Sequence, residues 1–209
     1  MVDSSGAKVL GNLIGTKKDA TSSLGNDGAG VAISGGMKMS VGGATAASAN
    51  TIAFNAGDGV EIKESAAKAN RVLYNSIFSN ADVGIDLAGD GTTLNDGAGD
   101  ADAGPNGLQN FPLITRATTS SSSAKTTIRG RLTGVPGKTF MVRFFSNPSG
   151  GEEGKTFIGK KKVTTNPEGK VSFTFVPSKK VGLGKTITAT ATGADGTSEF
   201  SAPKIVRRS

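Results

Sequence analysis

Short alternations of apolar and polar residues recur through the first half of the chain. In Gly59-Val-Glu-Ile62 and Gly84-Ile-Asp-Leu87, the two-residue period of a strand sends Val60, Ile62, Ile85 and Leu87 inward and turns Glu61 and Asp86 to solvent. Gly30-Val-Ala-Ile33 repeats the pattern, with Val31 and Ile33 inward and Ala32 outward. The flanking residues repeat as well. Asn50-Thr-Ile-Ala-Phe-Asn55-Ala-Gly-Asp-Gly59-Val-Glu-Ile62 lines up with Asn75-Ser-Ile-Phe-Ser-Asn80-Ala-Asp-Val-Gly84-Ile-Asp-Leu87 twenty-five residues later, keeping Asn, Asn and Gly at offsets 0, 5 and 9. A weaker copy, Val9-Leu-Gly-Asn12-Leu-Ile-Gly-Thr16, mirrors Val72-Leu-Tyr-Asn75-Ser-Ile-Phe-Ser79. A period of roughly 20 to 30 residues, built from short β-branched strands with Asn and Gly at the corners, predicts a solenoid of two to three stacked coils. Ile52, Phe54, Ile77 and Phe78 then supply core on the neighbouring faces, and corner asparagines such as Asn55 and Asn80 stack, each amide bonding its neighbour and the turn backbone.

The pattern changes after the corner sequence Gly104-Pro-Asn-Gly-Leu-Gln-Asn-Phe-Pro112. Longer alternating runs follow: Leu113 to Thr118, Thr126 to Leu132, Thr139 to Phe145, Thr156 to Val163, Lys170 to Phe175, Lys185 to Ala191 and Ser198 to Val206. Turn signals such as Asn166-Pro-Glu-Gly169 and Ala194-Asp-Gly196 separate them. Seven short strands in about a hundred residues is the count of an immunoglobulin-like or fibronectin-like β-sandwich. The Cys and Trp of a true immunoglobulin domain are missing, which favours a generic bacterial Ig-like module. The fold expected is therefore all-β, with a solenoid of two to three coils over 1–110, which the resemblance given below implies is a short right-handed parallel β-helix, and a seven-stranded Ig-like sandwich over 111–209.

Charge draws the same boundary. Up to residue 110 there are seven Lys and Arg against twelve Asp and Glu, and from 111 onward seventeen against five. No run of eighteen apolar residues exists, so no membrane-spanning segment is expected. The start, Met1-Val-Asp-Ser-Ser-Gly, has neither a basic segment nor an apolar core, so no signal peptide is read there and its earlier removal is expected.

Several of these segments carry a family resemblance. Gly11-Asn-Leu-Ile-Gly-Thr16, Gly25-Asn-Asp-Gly-Ala-Gly-Val31, Asn50-Thr-Ile-Ala-Phe-Asn-Ala-Gly-Asp-Gly-Val60, Ser76-Ile-Phe-Ser-Asn80, Gly84-Ile-Asp-Leu87 and the corner Gly104 to Pro112 resemble the right-handed parallel β-helix repeat proteins of bacterial surfaces, within the pectate-lyase-like superfamily. Asp195-Gly-Thr-Ser-Glu-Phe-Ser201 resembles the close of the Ig-like module that often follows such helices. The resemblance implies fold and an extracellular or cell-surface location, and longer relatives, more than it implies a chemistry.

The chemistry is bounded by what is missing. With no His and no Cys, Ser-His and Cys-His pairs and His-ligated metals are excluded. Glu61 and Asp86 occupy equivalent positions on adjacent coils, about 5 Å apart, near the spacing of a retaining glycosidase. In the superfamily that this chain resembles, adjacent carboxylates on this face bind calcium in pectate lyases, and the hydrolases rely on a His that is lacking here. The denser signal is Asp86, Asp90, Asn95, Asp96, Asp100 and Asp102, six oxygen-bearing side chains within seventeen residues, interleaved with Gly. Hard cations take roughly six to eight oxygen ligands, so these residues are the candidate calcium ligands. In the basic half, Lys160, Lys161, Lys162, Lys179 and Lys180 are candidates for a polyanion such as an acidic polysaccharide or cell-envelope polymer. Lysines on edge strands also block sheet-to-sheet aggregation. Nucleic acid is disfavoured, because these lysines are not interleaved with stacking aromatics. The function expected is non-catalytic binding, adhesion or spacing by the terminal part of a longer β-helix protein. The alternative is an accessory or terminal fragment of a polysaccharide lyase or glycoside hydrolase. Met1 to Lys8 offers no recognisable cap, so self-association through the N-terminal coil, or fraying there, is also expected.

Overall fold

The computed structural model describes residues 5–120 and 125–209. In the first half the chain makes three passes over the same three directions. The strands β1 (Lys8–Val9), β2 (Leu13–Ile14) and β3 (Val31–Ser34) form the first pass. The second is β4 (Ser40–Val41), β5 (Thr51–Ala53) and β6 (Val60–Lys63), and the third β7 (Arg71–Val72), β8 (Ser76–Phe78) and β9 (Ile85–Leu87). Corresponding strands pair in parallel, giving three three-stranded sheets, β1-β4-β7, β2-β5-β8 and β3-β6-β9. This stacking is compatible with a β-helix-like fold.

The register follows the sequence repeat. Val31 sits beside Val60 and Val60 beside Ile85; Ile14 sits beside Ile52 and Ile52 beside Ile77. The inward positions form one core with Ile33, Val41, Ile62, Val72 and Leu87. Ile52, Ile62, Ile77, Ile85 and Leu87 are buried, and each such side chain contributes about 1.5–3 kcal/mol on leaving water. Two expectations are corrected. Phe54 and Phe78 lie half-buried outside the core, edge to face with ring centroids 5.5 Å apart. Asp86, expected to face solvent, is buried because the chain beyond β9 folds back over it. The β4 strand, too short to register as an alternation, was not expected at all.

Asparagines at the bends form directional ladders. Asn12 N and Nδ2 donate to Asn50 Oδ1, and Asn50 N and Nδ2 donate to Asn75 Oδ1. Asn26 donates in the same way to Asn55, and Asn55 to Asn80. The second Nδ2 hydrogen returns to the preceding pass: Asn50 to the Val9 carbonyl, Asn75 to Val41, Asn80 to Ile52. Glycine is required where the chain turns above such an amide. Gly42, at φ 77°, would place any added Cβ on the Leu73 carbonyl and against Asn75.

The second half consists of β10 (Leu113–Thr119), β11 (Thr126–Thr133), β12 (Thr139–Asn147), β13 (Thr156–Thr164), β14 (Lys170–Phe175), β15 (Thr186–Thr192), β16 (Lys204–Ile205) and β17 (Arg207–Arg208). They form two four-stranded sheets, β14-β11-β10-β17 and β13-β12-β15-β16. All pairings are antiparallel except β10 with β17. Ile114, Ile128, Leu132 and Phe173 from one sheet and Val142, Phe144, Ile187 and Ala189 from the other share a single core. The expected seventh strand, Ser198 to Val206, is not one element. Only Lys204–Ile205 of it is strand, as β16, with β17 following beyond it in the other sheet, and Glu199 and Phe200 reach back to the first half. Phe200 and Phe145 join the core of the three passes, their rings edge to face at 5.4 Å.

Candidate functional site

The six residues read as calcium ligands separate into two places. Asp86 is 3 % exposed, and its carboxylate accepts from Gly89 N at 2.8 Å and Gly91 N at 2.9 Å. Both oxygens thus brace the turn after β9. Asp90 is exposed on that turn. Asn95 closes the following loop, accepting from Phe111 N and donating to Phe111 O, each at 2.9 Å. Glu61, beside Asp86 in the register, is held by Lys63 at 2.6 Å.

Asp96, Asp100 and Asp102 do converge, with one carboxylate oxygen from each within 4.8 Å of the others. The donors nearby are already committed. Asp96 accepts from Ala101 N and from Asn110 Nδ2; Asp100 accepts from Asn110 N and Gln109 Nε2. Asp102 Oδ1 and Asn110 Oδ1 are buried and meet no donor. Burial, opposed by the Asn110 N–H and reinforced by Asp96, Asp102 and Asp195, pushes the Asp100 carboxyl up to about 7. The loop is a concentration of oxygens short of protons. Asn110, 1 % exposed, was not among the expected ligands; its Nδ2 touches Asp96, and its Oδ1 is left without a donor.

The residues that sequence reasoning missed close the far end of the stack. The asparagine ladders run donor to acceptor along the chain and so end in donors at the last pass, beside strand carbonyls such as Ile77 O and Asn70 O that accept from Gly154 N and Thr197 N. The donors are met by acceptors from beyond that pass. Glu153 accepts from Asn80 N at 3.0 Å and from Asn80 Nδ2 at 2.9 Å. Glu199 accepts from Leu87 N and Thr93 N, both at 2.9 Å. Thr197 Oγ1 takes Val72 N, and Asn106 Oδ1 takes Asn70 N. Burial outweighs these bonds and pushes both Glu153 and Glu199 up to about 7. A half-open cleft of about 690 Å3 lies here, lined by Phe78, Leu94, Phe200 and the two glutamates. Of the four acids that line it, Glu153 and Glu199 are engaged in these bonds, and Asp82 and Glu152 are exposed at its rim. One signal was legible: the basic half has only five acids, and two of them are these caps.

The candidate lysines are dispersed. Lys160, Lys161 and Lys162 are exposed on the edge strand β13, and Lys160 Nζ sits 5.8 Å from the Tyr74 ring centroid. Lys179 and Lys180 lie in the loop before β15, where Lys180 donates to the Ser120 carbonyl at 2.9 Å. Among the described residues no helix is long and apolar enough to cross a membrane. No protein-family model matches the chain, and no curated protein matches it.

Proposed function

We propose that residues 1–110 are the end of a right-handed parallel β-helix and residues 111–209 an Ig-like sandwich that caps it. The whole acts as a non-catalytic secreted or bacterial cell-surface module that holds or displays a longer β-helix and binds an acidic polysaccharide or other cell-envelope polymer. The observation that carries this reading is the match of polarity at the junction. The N–H donors of Asn70, Val72, Asn80 and Leu87 at the stack end meet Asn106, Thr197, Glu153 and Glu199, side chains that stand in for the next pass, while Gly154 N and Thr197 N supply the donors for Ile77 O and Asn70 O. An end so terminated cannot template another strand, which is how a repeat array is kept from open-ended growth.

The reading as an enzyme fragment fares worse on the chain's own residues. General acid and base work needs carboxyls free to exchange a proton with substrate. Glu61 is tied to Lys63, Asp86 to two backbone N–H groups, and Glu153 and Glu199 to the last pass. The test is incubation with pectate and alginate, following both new reducing ends and unsaturated products, alongside retention on the immobilised polymers. Retention without turnover is expected. Turnover that disappears in Glu61→Gln would overturn the reading.

A calcium role is favoured by a separate observation, the two protonless buried oxygens beside three converging carboxyls. Asp96, Asp100, Asp102 and Asn110 would hold the ion, and Asp86, Asp90 and Asn95 would not, being engaged in or exposed on other turns. Bound there, a hard cation would relieve the mutual repulsion of the acids and fix the loop that Asn95 joins to Phe111, immediately before β10.

A further inference from the structure

The sheet face that the second half turns toward the three passes carries positive charge with no acid to match it. Arg143, on β12, is 8 % exposed. Its Nη1 donates to Thr192 Oγ1 at 2.9 Å. Its Nε is buried without an acceptor, and so is Thr190 Oγ1 without a partner, although Thr190 stands directly across from Arg143 in the β12–β15 register. On the other side, Lys160 opposes Arg143 and Lys162 opposes Met141. Directly opposed residues of an antiparallel pair point to the same face, so both lysines share the face of Arg143. Arg71, the only arginine of the first half, approaches from β7. Arg71, Arg143 and Lys162 border one groove of about 420 Å3, together with Thr139, Met141 and Thr192.

Among the described residues none of these cations forms a salt bridge, the ion pair present being Lys63 with Glu61. Burying a guanidinium without a counter-charge is costly, and a second guanidinium beside it adds repulsion. Burial brings Arg143 down to about 10, Tyr74 opposing and Arg71 reinforcing the shift. The guanidinium therefore stays charged at neutral pH, and the groove it lines offers room for a counter-charge. A planar guanidinium flanked by two further cations suits a planar or tetrahedral oxyanion.

We propose that this groove binds an oxyanion group, a carboxylate or a sulfate borne on an acidic polysaccharide, with the Arg143 guanidinium at its floor as the anchor and Arg71 and Lys162 as flanking charges. The polymer rests on the binding role proposed above; the oxyanion site does not. The test uses the full chain, isotope-labelled, titrated at constant ionic strength with chloride, sulfate, galacturonate and oligogalacturonate while the Arg143 Nε–H resonance is followed. A saturable shift is expected with sulfate or galacturonate and none with chloride. Tighter binding of galacturonate than of sulfate assigns the site to uronates, and the reverse order to sulfated glycans. Because Arg143→Met removes a buried group and is liable to unfold, the exposed Arg71→Ala and Lys162→Ala carry the mutational arm. Each is expected to weaken binding by about fivefold or more. Chloride acting like the oxyanions, no saturable shift, or unchanged affinity in the double variant would overturn the site. A saturable shift with the small anions but no retention on either polymer would keep the groove and sink the polysaccharide role.

Discussion

Glu153→Ala is the sharpest probe of how the stack is closed, because its effect must change with pH in a stated direction. The substitution leaves Asn80 N and one Nδ2 hydrogen without acceptors at a position only 9 % exposed. An orphaned buried donor costs about 1–3 kcal/mol, and the adjoining cleft admits water to one of the two, so about 2–4 kcal/mol is expected in total at pH 5. The carboxyl is pushed from its ordinary 4.5 up to about 7 by burial. A folded value above the unfolded one means that the proton is taken up on folding. The stabilisation is complete below the unfolded value and is lost as pH rises through about 7. At about 1.4 kcal/mol per pH unit, the wild-type residue loses about 2–3 kcal/mol of its contribution between pH 5 and pH 8. The variant loses none of this, so its deficit should shrink by that amount and nearly vanish at pH 8. Urea denaturation of wild type, Glu153→Ala and the exposed neighbour Glu152→Ala at both pH values, in the presence of EDTA, reads this directly. Amide exchange should place the loss of protection at Ser76–Phe78 first. A deficit that grows with pH, or one at pH 5 no larger than that of Glu152→Ala, would refute both the capping role and the burial assigned to Glu153.

Three further outcomes are expected. Asn50→Ala, which removes the middle of a ladder at a 1 % exposed position, should destabilise by about 2–4 kcal/mol, against less than about 1 kcal/mol for the exposed first member, Asn12→Ala; equal effects in denaturation would mean that the ladder is not a stabilising unit. Millimolar calcium should raise the melting temperature relative to EDTA, since a ligand at a hundred times its dissociation constant adds about 2.7 kcal/mol, and Asp100→Ala with Asp102→Ala should abolish the rise; identical melts in every condition would remove calcium from the picture. At the opposite end, β1, β2 and β3 each have one unpaired edge and Leu10, Leu13, Leu24 and Met37 are exposed, so light scattering should show self-association or amide exchange should show fraying over residues 8–34; a monomer fully protected there would contradict both.

How much of this was legible in the sequence depends on the range of the interaction. The registers of Val31, Val60 and Ile85 and of Ile52 and Ile77 followed from local alternation and a fixed period, because a parallel stack reuses the same inward positions on every pass. Six of the seven strand runs in the second half were found for the same reason. What failed was burial created by chain that returns from elsewhere. Alternation placed Asp86 outside, and it does point away from Ile85 and Leu87, but the turn through Gly89 and Gly91 covers it. Density of acids grouped six residues in one line, whereas Asp96, Asp100 and Asp102 converge, Asp86 and Asn95 are bonded into other turns, and Asp90 is exposed.

The deepest omission was the polarity of the ladders. Asparagine was read as a stacking residue, and a stack looks symmetric in sequence. Its hydrogen bonds are not: Asn12, Asn26, Asn50 and Asn55 each send the backbone N–H and one Nδ2 hydrogen toward the following pass, so the side-chain ladder begins with amide oxygens and ends with donors. The donor end can be finished only by groups that accept, and a carboxylate, which accepts with both oxygens and donates with neither, is the strongest of these. Glu153 lies 73 residues from Asn80 and Glu199 lies 112 from Leu87, too far for any local pattern to connect them. Their chemistry was nevertheless implied. Once the ladder has a direction, acids in the segment that follows are required, and in a half with seventeen basic residues and five acidic ones few candidates remain. The same logic makes the upstream end a demand for donors. Asn12 and Asn26 there offer side-chain oxygens that accept nothing among the described residues, so of the two outcomes expected at this edge, head-to-head association would set these oxygens against each other and fraying is the one the ladder favours. A preceding pass, arriving with its own donors, would satisfy the edge, as Asn12 satisfies Asn50.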